Sequence, residues 1–151
     1  MEAKTALNKE TLDRIQDLIE INNDSAAGFE KAADLVSAPI DDKLRRFGQE
    51  RRELASELSA LAALSGDRVR SDGSWQGRVH RWWLHLRANI QPNRQAAVLA
   101  EVERGEASIC EAYEDTLRSS PGSAISDMLH RQLAAIRLAK KQVRQLRSAS
   151  R

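Results

Sequence analysis

The sequence predicts an all-α four-helix bundle, one domain over residues 1–151, with a long, partly helical connection between the second and third helices. Three observations carry this. Four stretches each hold an apolar seam at alternating three- and four-residue spacing, the inward stripe of a helix packed in a bundle. Each seam has one polar residue near its middle. Caps and breakers mark the ends of the stretches.

The first helix is expected near residues 8–37, on Leu12, Ile15, Ile19, Asn22, Ala26, Phe29, Ala33 and Val36. Asn8 can cap it, Leu7 and Leu12 are placed as a hydrophobic staple, and Glu10 favours its first turn. Pro39 stops it. The second helix, near 41–65, runs on Leu44, Phe47, Arg51, Leu54, Leu58 and Leu61, with Asp41 and Asp42 at its positive end and Gly66 closing it. A polar stretch follows, then a shorter amphipathic piece near 75–90, which Pro92 ends. Asn93 can cap the third helix, near 93–119, on Leu99, Val102, Glu106, Ile109, Tyr113 and Leu117. Ser120, Pro121 and Gly122 make the turn into the fourth, near 123–147, on Ile125, Leu129, Gln132, Ile136, Ala139, Val143 and Leu146.

Short turns make the first and second helices, and the third and fourth, antiparallel hairpins. The link between the hairpins is about 26 residues, far above the usual two to eight. It is long enough to return along a helix of about 36 Å. A one-crossover topology and a simple up-and-down bundle both satisfy that link.

Composition agrees. Hydrophobic residues are 41% of the chain and charged residues 30%, with seven glycines and three prolines, which suits long solvated helices. The opening residues carry acids and no apolar core, so no signal peptide is expected. No apolar run is long enough to span a bilayer. The lone cysteine, Cys110, can form no internal disulfide and points to the cytoplasm. With no histidine beside it, Cys110 reads as a small buried apolar residue rather than a nucleophile. No catalytic residue is expected.

The net charge of +2 conceals segregation: residues 1–66 and 94–127 are acidic, whereas 67–93 and 128–151 are basic. The last helix has Arg131, Arg137, Lys140, Lys141, Arg144, Arg147 and no acid after Asp127. No aromatic interleaves those bases, and an acidic helix precedes them, so pairing within the bundle is expected rather than nucleic-acid binding. Half of the aromatics are Trp75, Trp82 and Trp83, beside Arg78, Arg81 and Arg87. Trp82 and Trp83 lie 100° apart on a helix and do not share one narrow seam. They are expected either to roof the bundle or to form an interface, where Trp and Arg are enriched. A homodimer contact through Trp75, Trp82, Trp83, Arg78 and Arg81, or a contact with an unidentified protein partner, is the expectation.

The stretches LIEINNDSAAGFEKAADL, FGQERRELASEL, AEVERGEASICEAYEDTL and HRQLAAIRLAKKQVRQLR resemble an uncharacterised bacterial family of ferritin-like four-helix-bundle proteins, a domain of unknown function. The resemblance spans nearly the whole chain. Its most specific pieces are residues 20–24 and 103–106, and Asn22, Asn23, Gly28, Arg51, Glu103, Gly105 and Glu106 match its recurrent pattern. It implies a ferritin-like fold and no particular activity.

A di-iron bundle supplies a Glu from each of two helices and a Glu-x-x-His from each of the other two. This chain has no Glu-x-x-His; Asp127-x-x-His130 comes nearest, with Asp127 turned about 170° from the fourth seam. The layer instead holds Asn22, Arg51, Glu106 and Gln132. Arg51 repels a cation and can neutralise Glu106 through a bidentate contact, the amides taking the remaining donors and acceptors. Glu30, about 45° from the first seam's centre, is a second candidate partner for Arg51. The expected function is therefore a non-enzymatic ferritin-like bundle without cofactor, acting through self-association or partner binding. The alternative is an iron- or manganese-binding, oxidative-stress protein with Glu30, Glu50, Glu103 and Glu106 as carboxylate ligands.

Overall fold

A computed structural model describes residues 8–65, 94–119 and 121–150. They form four helices: α1 Lys9–Ala33, α2 Ile40–Leu64, α3 Gln95–Arg118 and α4 Ser123–Ala149. Their 24 to 27 residues make rods of about 36–40 Å. The expected amphipathic piece at 75–90, the Asn93 cap and Leu7 of the staple lie outside the described residues.

Asn8 caps α1 as its chemistry demands: its Oδ1 accepts from the Thr11 amide at 2.8 Å. α1 ends four residues earlier than the seam implies. The amides of Leu35 and Val36 bond three residues back, to the Ala32 and Ala33 carbonyls, tightening the chain ahead of Pro39. Leu35 and Val36 still pack against the core, which is why Val36 reads as a seam position. Gly122 precedes α4 with φ of +103°, a left-handed conformation that L side chains rarely adopt.

α1 packs on α2 and α3 on α4, the two expected hairpins; α1 also lies against α3, while α2 meets α4 more sparsely. Cross-helix bonds fix direction. Ser37, just past the end of α1, donates its amide and its hydroxyl to Gln95 Oε1 at the start of α3, at 2.6 and 2.8 Å. Glu57 of α2 meets Arg131 early in α4, and Glu103 early in α3 meets Arg144 late in α4. So α1 and α3 are antiparallel, and α2 runs parallel to α3. α2 therefore ends, and α3 begins, at opposite ends of the bundle, which is the one-crossover topology.

The apolar seams close into two cores. Ile15, Ile19, Leu58, Leu129 and Ile136 belong to one, and Phe29, Leu44, Leu99 and Val143 to the other. Arg51 and Glu106, each buried, belong to neither. At the same level Gly48 brings α2 close to α1: a Cβ there would lie 3.2 Å from the Ala26 carbonyl oxygen and 3.3 Å from the Phe29 Cβ. No helix among the described residues is long and apolar enough to cross a membrane.

Candidate functional site

Arg51 comes from the middle of α2 and Glu106 from the middle of α3, each at its seam's polar position. Arg51 Nη1 donates to Glu106 Oε1 at 2.8 Å, and Nη2 donates to Oε2, a parallel two-bond fork. Both side chains are only 2% exposed. Nη1 donates also to Ser25 Oγ at 3.2 Å, and the guanidinium carbon sits 5.3 Å from the centroid of the Phe29 ring. A charge removed from water needs such partners, because an uncompensated one costs several kcal/mol.

The two amides do not complete this pair, contrary to the sequence-based expectation. Asn22 Nδ2 donates to the Leu18 carbonyl and to the Tyr113 hydroxyl, both at 2.8 Å, and Tyr113 donates to Gln132 Oε1 at 2.7 Å. Gln132 Nε2 then donates to the Leu54 carbonyl at 3.3 Å and to Glu57 Oε1 at 3.5 Å. Arg131 grips Glu57 with two nitrogens, and its hydrogen bonds hold that carboxyl below the usual range. The layer is thus two tiers, an ion pair and an amide–phenol chain. Tyr113 is the member that seam reading missed, because its ring fits an apolar position. Its hydroxyl was the available signal, since a buried phenol takes a hydrogen-bond partner. Burial drives the phenol's pKa far up, against the opposing effects of Asn22 and Arg51. Tyr113→Phe should cost about 1–3 kcal/mol by leaving Asn22 and Gln132 short of a partner; equal urea midpoints for variant and parent would refute this.

Between α1 and α3 a groove of about 530 Å³ opens. Ile21, Phe29, Val102 and Ile109 give it apolar walls, Gly28 and Gly105 keep it wide, and Glu106 and Asp24 reach it from either helix. A Cβ on Gly105 would meet no heavy atom within 4 Å. Asp24 Oδ2 is shut off from water without a hydrogen-bond partner. Burial, then repulsion from Glu20, pushes the Asp24 carboxyl up to about 6. A carboxyl raised in the fold binds more protons folded than unfolded, so its charge weakens the fold as pH climbs from about 4 through 6. Asp24→Asn should therefore stabilise by about 1 kcal/mol at pH 7, after discounting for solvent around a half-buried group, and by nothing at pH 4. Paired urea melts at the two pH values check this, and an equal gain at both would sink it.

Residues 10–119 match the family described as a domain of unknown function, DUF2383. The chain belongs to the DUF2383 family. No curated protein matches it. The DUF2383 match takes in α1 from its second residue, all of α2 and all of α3, so Asn22, Arg51, Glu106, Tyr113 and the groove lie inside it. Gln132 and Arg131, on α4, lie beyond it.

The remaining sequence-predicted residues fall in separate places on this DUF2383 bundle. Glu30 is not a partner of Arg51 and not in the buried layer: its carboxylate, 47% exposed, takes Arg52 at 2.8 Å. Arg51 turns inward to Glu106, leaving its neighbour Arg52 on the flank where Glu30 emerges. Glu50 is exposed on α2, and Glu103 accepts from Arg144 at 2.7 Å and lies 3.2 Å from Arg147. Glu30, Glu50, Glu103 and Glu106 thus do not converge, and three of them already face arginines. Among the described residues no group of three or more His, Cys, Asp or Glu is placed to hold a metal. Cys110 is buried, its thiol pushed up first by burial and then by Glu106. Asp127 and His130 are exposed. Trp75, Trp82, Trp83, Arg78 and Arg81 lie outside the described residues.

Proposed function

We propose that this chain is a non-enzymatic, ferritin-like bundle of the cytoplasm. It works by associating with itself as a dimer, or with a protein partner, and an ion pair stands at the level where a ferritin-like protein holds di-iron. The observation that supports this reading is the fork of Arg51 on Glu106. A guanidinium on the one central carboxylate repels an incoming cation and uses the lone pairs that a metal would need. The pair holds the bundle in register, since any slip of α2 against α3 would strand both charges. Association is assigned to the stretch with Trp75, Trp82 and Trp83, because half of the chain's aromatics stand there among arginines.

Purified protein, its metal content, its melting with Fe(II) or EDTA and its mass by light scattering test the reading together. The expected result is no stoichiometric iron, manganese or zinc, melting indifferent to Fe(II) and EDTA, and a dimer mass that Trp82→Ala with Trp83→Ala reduces to a monomer. Stoichiometric metal with cation-dependent melting would overturn the non-metal part. A monomer mass for the parent chain at high concentration would overturn the dimer.

A further inference from the structure

The α1/α3 groove has a chemistry of its own, separate from the ion pair and from the way copies associate. Its volume of about 530 Å³ falls within the range of small-molecule pockets. Its walls are apolar, and its charges do not cancel locally. Glu106 is neutralised by Arg51, Asp115 lies against Arg118, and Arg104 turns to Glu101 at 3.1 Å. Asp24 and Glu111 also line the groove, and neither is in an ion pair among the described residues. One oxygen of Asp24 is buried with no donor to satisfy it. An apolar slot lined by carboxylates that no cation among the described residues meets favours a ligand that brings a positive charge.

We propose that this groove binds a protonated organic amine, its ammonium seated on Asp24 and its apolar body lying along Phe29, Val102 and Ile109. The cation pairs with a groove-lining carboxylate that no cation among the described residues meets, and offsets the repulsion between Asp24 and Glu20. The body covers apolar wall that would otherwise face water. A neutral molecule of the same shape gains only the second effect, and an anion meets the wrong charge.

Tryptamine and its neutral isostere tryptophol, titrated calorimetrically into the full chain, separate these contributions. Tryptamine should bind at least tenfold more tightly than tryptophol. Asp24→Asn should remove that preference while leaving the helices intact by circular dichroism. Gly105→Leu, which builds bulk into the groove wall from a position with open space at Cβ, should abolish binding of both. Equal affinities, no saturation by either compound, or tryptamine binding that survives Gly105→Leu would each overturn the proposal. So would sedimentation in which Gly105→Leu splits a dimer that tryptamine leaves intact, because the groove would then be a contact between copies of the chain.

Discussion

Glu106→Ala should lower the unfolding free energy by about 3–5 kcal/mol, a large share of what holds a domain of this size together. The loss comes less from the pair itself than from what the substitution leaves behind. Arg51 is 1% exposed, and its remaining contacts, Ser25 Oγ and the face of Phe29, cannot replace a carboxylate. Replacing both partners, Arg51→Leu with Glu106→Leu, strands no charge and should cost far less than Glu106→Ala alone. Urea melts of the parent, the single variant and the double variant measure all three. A double variant as damaged as the single one would show that packing, not charge, dominates the layer. A parent protein that gains stability from Fe(II), with that gain lost in a Glu106→Ala variant that otherwise melts normally, would place a metal at this level instead.

The second large effect is expected at Phe29. Its ring is 2% exposed, lies 5.6 Å from the Phe47 ring at a tilt of 54°, and receives the Arg51 guanidinium on its face. Phe29→Ala should cost about 3–5 kcal/mol through lost burial and the cavity that remains. About 1 kcal/mol of that should be coupling to the cation. The coupling is separable: in the Arg51→Leu, Glu106→Leu background the same truncation should cost less by that amount. Strict additivity in the cycle would mean that the ring serves the apolar core alone.

Most of the fold was legible from periodicity, because a helix in a bundle must turn one stripe inward and that stripe recurs in the chain. All four polar seam residues, Asn22, Arg51, Glu106 and Gln132, are buried as their positions implied. Their partners were harder to read. Arg51 with Glu106 follows from the cost of an unpaired buried charge, but the Asn22–Tyr113–Gln132 chain depends on how far α1, α3 and α4 are rotated, which spacing does not record. Glu30 shows the same limit: 45° from a seam's centre is a flank, and there Arg52 competes for it better than Arg51. Glu103 is buried beyond the seam because two α4 arginines cover it. The groove was not legible at all. Periodicity says which residues face a neighbouring helix, not how wide a gap the small residues Gly28 and Gly105 leave between the two.

The parallel run of α2 and α3 also orders events in time. Bonds inside a hairpin close short loops: Glu30 and Arg52 are 22 residues apart, and Arg137 and Glu114 are 23. The Arg51–Glu106 bond spans 55 residues and the Asn22–Tyr113 bond 91. Closing longer loops costs more entropy before any contact rewards it, so each hairpin zips early and the central charges meet last. Weakening the central pair should then leave the refolding rate almost untouched and appear as faster unfolding, so the pair governs how long the bundle stays shut rather than how quickly it forms.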